Sequence, residues 1–467
     1  MPVTEIISTA RIRAMGREKV AEDEEQAMRV AQEEMRARLA HLEVAIEALT
    51  LERDRAKWEV EKVDAVMAPV RRVPEEMMSE VFEWVLVGMD DDVGRARQIG
   101  RLRIVSAGWR AIVDGTPSLW TRACTTRDQY LHVRLNKRNS GALPMSLVHT
   151  GEGADSAALG ALTTLGGAIG RLTSLKLRAT CLFLGSQMPT PSFPALTTVE
   201  LILDGAPHVN ALIWLTYAHG LRVLTIRCEG VRMDERFTMR VPDFPWLEAL
   251  TLRGLEHGCT GFILHLLQRT TTVRSAYIDA MIDDVEMSDN WVATTNIFTP
   301  RLQCLELQGD VSFVLAILTA PQLQELTLGD MNNGRVPLND LAIMLNRPGG
   351  CPDLETLALN KVHSGLPGAA GGLAACLRGL GSLKVLEVDD TGSQRGLFGR
   401  AEMFNAMSGG ATPIVMPRLE QFDYWQPGDG LPDEAWVAFN QLVDSRAEEQ
   451  IVGTQHLSAL VVYVDDL

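Results

Sequence analysis

The chain has 467 residues, 46% apolar and 22% charged, a globular composition with room for about two to four domains. Its net charge of −16, from 60 acidic and 44 basic residues, argues against a general nucleic-acid binder, which presents clustered Lys and Arg to phosphates. No run of about 18 apolar residues occurs, which rules out a membrane-spanning helix, and the first residues read as neither a secretory signal nor a mitochondrial presequence.

From Arg17 to Ala68 the sequence holds no Gly or Pro. Residues 17–68 are therefore expected to form one helix about 75 Å long. Positions spaced alternately by four and three are Met28, Gln32, Met35, Leu39, Leu42, Ile46, Leu49, Arg53, Ala56, Val60, Val63 and Met67. Ten of the twelve are apolar. That is a heptad seam, interrupted by Gln32 and Arg53, and such a seam needs burial. Two readings stand: a coiled coil that makes a homodimer, or a single helix packed on the body.

Pro69 ends this helix. Pro74, with Glu75 and Glu76 behind it, suits the first turn of another. Met77, Met78, Val81, Phe82, Val85 and Leu86 then give a broad apolar stripe that stops before Gly88. A second helix is expected over Arg95 to Val105. A third holds Trp109, Ile112 and Val113 and stops at Gly115, before the turn Thr116–Trp120. Three short helices make a core that is marginal alone.

The strings V-R-R-V-P-E-E-M-M-S-E-V-F, R-I-V-S-A-G-W-R-A-I-V and T-P-S-L-W, in this order, resemble an F-box. They are especially similar to the F-box-like domains of mushroom-forming fungi, which commonly carry an N-terminal coiled-coil helix and a divergent leucine-rich C-terminal half. The chain departs from the pattern at Val73 for the usual Leu, at Ser106 for the usual Cys, and at Ala107 and Gly108 for the common arginines. The resemblance implies docking on a Skp-type adaptor, and through it a cullin. Carried over by position, the contacts would be Pro74, Met77, Met78, Val81, Phe82, Val105, Trp109, Leu119 and Trp120. Trp109 and Trp120 also read as core anchors. Met78 and Phe82 are expected to face the partner, because so small a helix cannot bury both sides of so wide a stripe.

By this resemblance residues 69–125 would form the F-box-like unit, and 126–170 a connector with a helix over Asp128–Ser140 and a strand over Pro144–His149. From Leu172 a pattern, apolar-x-x-apolar-x-apolar, recurs in ten copies that begin at Leu172, Leu196, Leu221, Leu247, Val273, Leu302, Leu323, Leu354, Leu383 and Leu419, spaced 21 to 36 residues apart. This is the strand half of a leucine-rich repeat. Pro194, Pro245, Pro300, Pro321, Pro352 and Pro417 each sit two residues before a copy, where a proline loses no ladder donor and fixes the turn into the strand. Helical stretches fall between copies at 209–219, 261–269, 311–319, 338–346, 371–380 and 433–449. The expected fold is α/β: a long N-terminal helix, a three-helix unit, and an irregular repeat solenoid over 171–467 with a parallel sheet on its concave face and Gly-rich bulges at 365–372 and 392–410.

Side chains between the apolar strand positions should face outward on the concave side. The first half offers Lys176, Arg178, Arg227 and Arg253; the middle offers Tyr277; the second half offers Glu306, Glu325, Glu387, Asp389 and Asp423. This predicts a face polarised from basic to acidic that would orient a bound target protein. The simpler reading is ordinary solvent-facing strand residues.

The seven cysteines, Cys124, Cys181, Cys228, Cys259, Cys304, Cys351 and Cys376, form no C-x-x-C pair, and reduced thiols of the cytosol or nucleus are expected. His257, Cys259 and His265 fit no zinc-ligand spacing. No phosphate-binding loop, nucleophile elbow or H-E-x-x-H motif occurs. The expected function is target selection for a Skp–cullin–F-box type ubiquitin ligase, with no enzyme activity, metal, cofactor, nucleic acid or membrane. Its rivals are a leucine-rich scaffold dimerised by the first helix, and an enzyme with a catalytic cluster assembled across repeats.

Overall fold

The computed structural model describes residues 22–89, 91–125, 130–151, 155–179, 192–204, 212–229, 240–256, 259–281, 296–331, 337–362, 376–389, 404–405, 407–408, 416–426, 433–449 and 459–464. The predicted bulge at 365–372 and most of that at 392–410 lie outside these residues. The protein is α/β, with a long N-terminal helix and a large parallel sheet. The chain forms two compact units, Met1–Val81 and Phe82–Leu467.

In the first unit, α1 (Glu22–Met67) runs for 46 residues. Glu22, Asp23, Glu24 and Glu25 fill its first turn, where carboxylates meet the positive end of the helix dipole. Pro69 opens a 3₁₀ turn, Pro69–Arg72, that ends it. α2 (Glu75–Val87) starts after Pro74, whose carbonyl accepts from the Met78 N–H at 3.0 Å.

The second unit takes over within α2 and continues with α3 (Asp92–Val105) and α4 (Ala107–Gly115). α3 begins three residues before its predicted start, because the Asp91 carboxylate accepts from the N–H groups of Val93 (3.0 Å) and Gly94 (2.9 Å) and caps it. Ser106 caps α4 in the same way, its hydroxyl accepting from the Trp109 N–H at 3.1 Å.

The sheet starts earlier than the repeat pattern indicated. β1 (Arg122–Thr125) and β2 (Met145–His149) are its first two strands, with α5 (Tyr130–Asn139) between them. β1 is four residues long and carries no repeat pattern, so nothing in its spacing marks it. After α6 (Asp155–Leu165), all ten repeat copies supply strands: β3 (Leu172–Ala179), β4 (Thr198–Asp204), β5 (Val223–Glu229), β6 (Ala249–Leu255), β7 (Ser275–Ala280), β9 (Cys304–Gly309), β11 (Glu325–Gly329), β12 (Thr356–Asn360), β13 (Val385–Asp389) and β14 (Gln421–Gln426). β15 (Ala459–Val464) closes the row of thirteen described strands, which lie in chain order and pair in parallel. β8 (Ile297–Phe298) and β10 (Leu318–Thr319) form a separate parallel pair. α7 (Thr260–Arg269), α8 (Phe313–Ile317), α9 (Pro337–Asn346) and α10 (Asp433–Glu449) lie between strands. The predicted stretch at 209–219 contributes a 3₁₀ turn, Ile213–Tyr217.

Alternation fixes which face is core. The two apolar strand positions, such as Leu175 and Leu177, Leu305 and Leu307, or Leu326 and Leu328, are buried. They join helix residues such as Leu162, Phe262 and Leu341 in one continuous cluster, and each full burial is worth about 1.5–3 kcal/mol. At the last repeats rings replace leucine: Phe404 sits 5.6 Å from Tyr424 and 5.3 Å from Phe439 of α10.

The prolines before the strands have a defined role. Each is the second residue of a turn closed by a backbone bond, for example Leu196 N–H to Phe193 O (3.2 Å) around Pro194 and Leu323 N–H to Ala320 O (3.1 Å) around Pro321. Position i+1 of such a turn wants the φ that proline supplies. The next N–H then reaches the preceding repeat, as Thr197 does to Thr173 O (2.9 Å), Gln324 to Gln303 O (2.8 Å) and Glu355 to Gln324 O (2.9 Å).

Candidate functional site

Strand residues opposite the core form one row across the sheet. Register places Lys176, Glu200, Thr225, Thr251, Tyr277, Glu306, Thr327, Ala358, Glu387 and Asp423 side by side, with neighbouring strands roughly 4.8 Å apart. Arg178, Ile202, Arg227 and Arg253 lie two residues further along β3 to β6.

The predicted basic half is corrected by its own neighbours. Lys176 pairs with Glu200 at 3.1 Å, and Arg227 reaches the same carboxylate at 3.3 Å. Arg178 bridges Asp204 (2.7 Å) and Glu229 (2.6 Å). Arg253 lies 4.6 Å from the centre of the Tyr277 ring, a cation–π contact. The polarity prediction counted the cations and overlooked Asp204 and Glu229, at the ends of β4 and β5, which neutralise Arg178, while Lys176 and Arg227 share Glu200.

The second half differs. Glu306 accepts from the Gln308 amide at 2.8 Å, Glu325 from the Cys304 thiol at 3.3 Å, and Asp423 from the Gln421 amide at 2.6 Å. Among the described residues no Lys or Arg forms an ion pair with any of these three or with Glu387. Glu387 lies beside Asp423 in register; burial first, and the Asp423 charge second, hold its carboxyl above the usual range. Asp423 is buried and its Oδ1 lacks a hydrogen-bond partner. The face is thus nearly balanced at one end and acidic at the other.

In the helical segment from Phe82 onward, Phe82 is buried with its ring 4.9 Å from Trp109. Trp120 is buried, and its indole N–H donates to Val113 O at 2.7 Å. Leu119 is buried as well. Arg103 holds Asp114 through two bonds of 2.8 and 3.2 Å. Burial, with Arg122 second, lowers the pKa of Arg95, whose guanidinium donates to Leu86 O at 3.0 Å.

The expectation that Met78 and Phe82 face a partner is therefore corrected: both are buried. Leu119 and Trp120 are likewise interior, which supports the core-anchor reading of Trp120. Pro74, Met77, Val81 and Val105 are exposed, and Trp109 is half-buried. The sequence reading missed Trp84 and Ile104, each 77% exposed, and Val87, 70% exposed. Trp84 fell outside the stripe chosen as apolar. Its position seven residues after Met77 and three after Val81 is the signal that could have found it.

Burial pushes Cys124, Cys228 and Cys351 up to about 12, and Cys304 rises to about 11 through burial and the Glu325 hydrogen bond. These four are not poised as thiolate nucleophiles. Among the described residues no three His, Cys, Asp or Glu side chains are grouped to hold a metal ion, and no helix is long and apolar enough to cross a membrane. The arrangement consists of an extended row of carboxylates, hydroxyls and a phenol, and of apolar side chains left outside on short helices. No family model matches the chain, and no curated protein sequence matches it.

Proposed function

We propose that this chain is the substrate-receptor subunit of a Skp–cullin–F-box type ubiquitin ligase. Helices of segment 69–125 dock on a Skp-type adaptor, and the open face of the sheet, read as a leucine-rich-repeat solenoid, holds a target protein. The protein then contributes by positioning, raising the local concentration of target beside ubiquitin-transferring enzymes elsewhere in the assembly. The observation that carries the reading is the set of large apolar side chains left outside on the helices before the sheet, Trp84, Val87, Ile104 and Val105. Exposed apolar surface of this kind marks a protein contact, and it falls in the segment whose sequence resembles an F-box.

Titration calorimetry with a purified Skp-type adaptor tests the proposal. Binding is expected to weaken at least about tenfold in Trp84→Asp or Val105→Asp, while amide-exchange protection of residues 107–115 stays at the wild-type level. A wild-type chain that does not bind the adaptor removes the reading.

The exposed apolar residues of α1 favour a second reading, a leucine-rich-repeat scaffold joined through that helix with no ubiquitin role. It predicts target capture without adaptor binding.

A further inference from the structure

The heptad positions of α1 from Met35 to Met67 are open to solvent. Met35, Leu39, Leu42, Ile46, Leu49, Val60, Val63 and Met67 are each 43% to 64% exposed. Leaving eight large apolar side chains in water along one helix is costly, since each buried methylene is worth about 0.8 kcal/mol. The geometry points to a second copy of this chain as the occupant, paired with the first as a parallel, in-register, two-stranded coiled coil. This inference stands apart from the ubiquitin-ligase reading.

The charges choose the occupant and its direction. Taking Leu39, Ile46, Arg53, Val60 and Met67 as a positions puts Met35, Leu42, Leu49, Ala56 and Val63 at d. Residues flanking the seam then meet their partners five residues on in a parallel pair. Arg38 faces Glu43 of the second copy, and Glu52 faces Lys57 of the second copy; each attraction occurs twice by symmetry. Glu59 faces Asp64 of the second copy, a repulsion offset by Arg55, 3.8 Å from Glu59 in its own helix.

Arg53, the charged a residue, would lie beside Arg53 of the second copy, a repulsion offset by Glu52 of the second copy and by Asp54 of its own helix, which already holds it at 2.7 Å. A polar or charged a residue of this kind fixes register at a cost in stability. On the far side of the helix apolar residues come once per heptad, at Val44, Leu51 and Trp58, and Lys62 covers the Trp58 ring at 3.2 Å. One residue per heptad does not make a second seam, and within the seam β-branched Ile46 and Val60 at a with Leu42 and Leu49 at d favour two strands.

Light scattering and sedimentation equilibrium of the full chain test this. The expected mass is twice 51.3 kDa. Leu42→Glu with Leu49→Glu should give a monomer whose Phe82–Leu467 unit denatures as in the wild type, because neither side chain is buried in the single chain. Arg38→Glu and Glu43→Arg should each raise the dimer dissociation constant about tenfold, and together return it to within about threefold of wild type. A wild-type monomer at every concentration tested, a mass above two copies, a dimer that survives Leu42→Glu with Leu49→Glu, or a double charge swap no tighter than its single variants would each overturn the inference.

Discussion

Replacing Phe82 by alanine tests the packing of the helices ahead of the sheet. The side chain is 1% exposed and its ring lies 4.9 Å from Trp109 at an interplanar angle of 56°. Removing a buried phenylalanine costs about 3–5 kcal/mol, of which the tilted ring pair accounts for about 0.5–1.5 kcal/mol. Trp109 is itself half-buried, so the gap can partly fill by ring movement, and a loss of about 3 kcal/mol is expected. Phe82→Leu keeps most of the volume and gives up the ring pair, so it should lose about 1–1.5 kcal/mol.

A global denaturation curve would blur this, since the sheet and the helices need not unfold together. Native-state hydrogen exchange of the amides in α4, residues 107–115, reports the local opening. Protection there should fall by the stated amounts, while amides of β5 and β6 stay unchanged. A loss under about 1 kcal/mol in Phe82→Ala, or an equal loss in the two variants, would show that Phe82 does not hold α4 in place.

Two further outcomes follow from the sheet. Glu387→Gln should stabilise the protein at pH 7. The folded state holds this carboxyl above its ordinary pKa, so stability is lost as the pH rises from the unfolded value through the folded one. Urea midpoints measured from pH 4 to 8 should converge at the acid end, and an equal offset at every pH would refute the cause. Gly309 has φ +74° and an added Cβ would stand 2.4 Å from Ala280 O; Gly309→Ala should therefore cost about 3 kcal/mol, whereas Gly261→Ala in α7, with nothing within 4 Å of the new Cβ, should gain about 0.5–1 kcal/mol by urea denaturation.

The ten repeat strands were legible because alternation and a fixed hydrophobic spacing are local signals, and prolines marked the approach to six of them. β1 was not, because four residues carry too little pattern. The site was legible in outline only. Strand parity placed Lys176, Glu306 and Asp423 in one row, but it could not show that Asp204 and Glu229 close on Arg178, since that pairing depends on three adjacent strands. In α2, seven apolar residues within ten positions wrap too far around the helix to say which side is core. Phe82 turned inward because Trp109 supplies a ring to meet it, and Trp84, two residues on, points elsewhere.

The turn ahead of each repeat strand has a consequence for how such a chain can change. The closing bond and the next amide set the alignment of every strand afresh against its neighbour, whatever length of polypeptide came before. An insertion between two strands then alters only its own excursion, and an error in one repeat is not passed to the next. Spacings of 21 to 36 residues are tolerated for this reason, and the connecting segments are free to diverge while the polar row stays aligned.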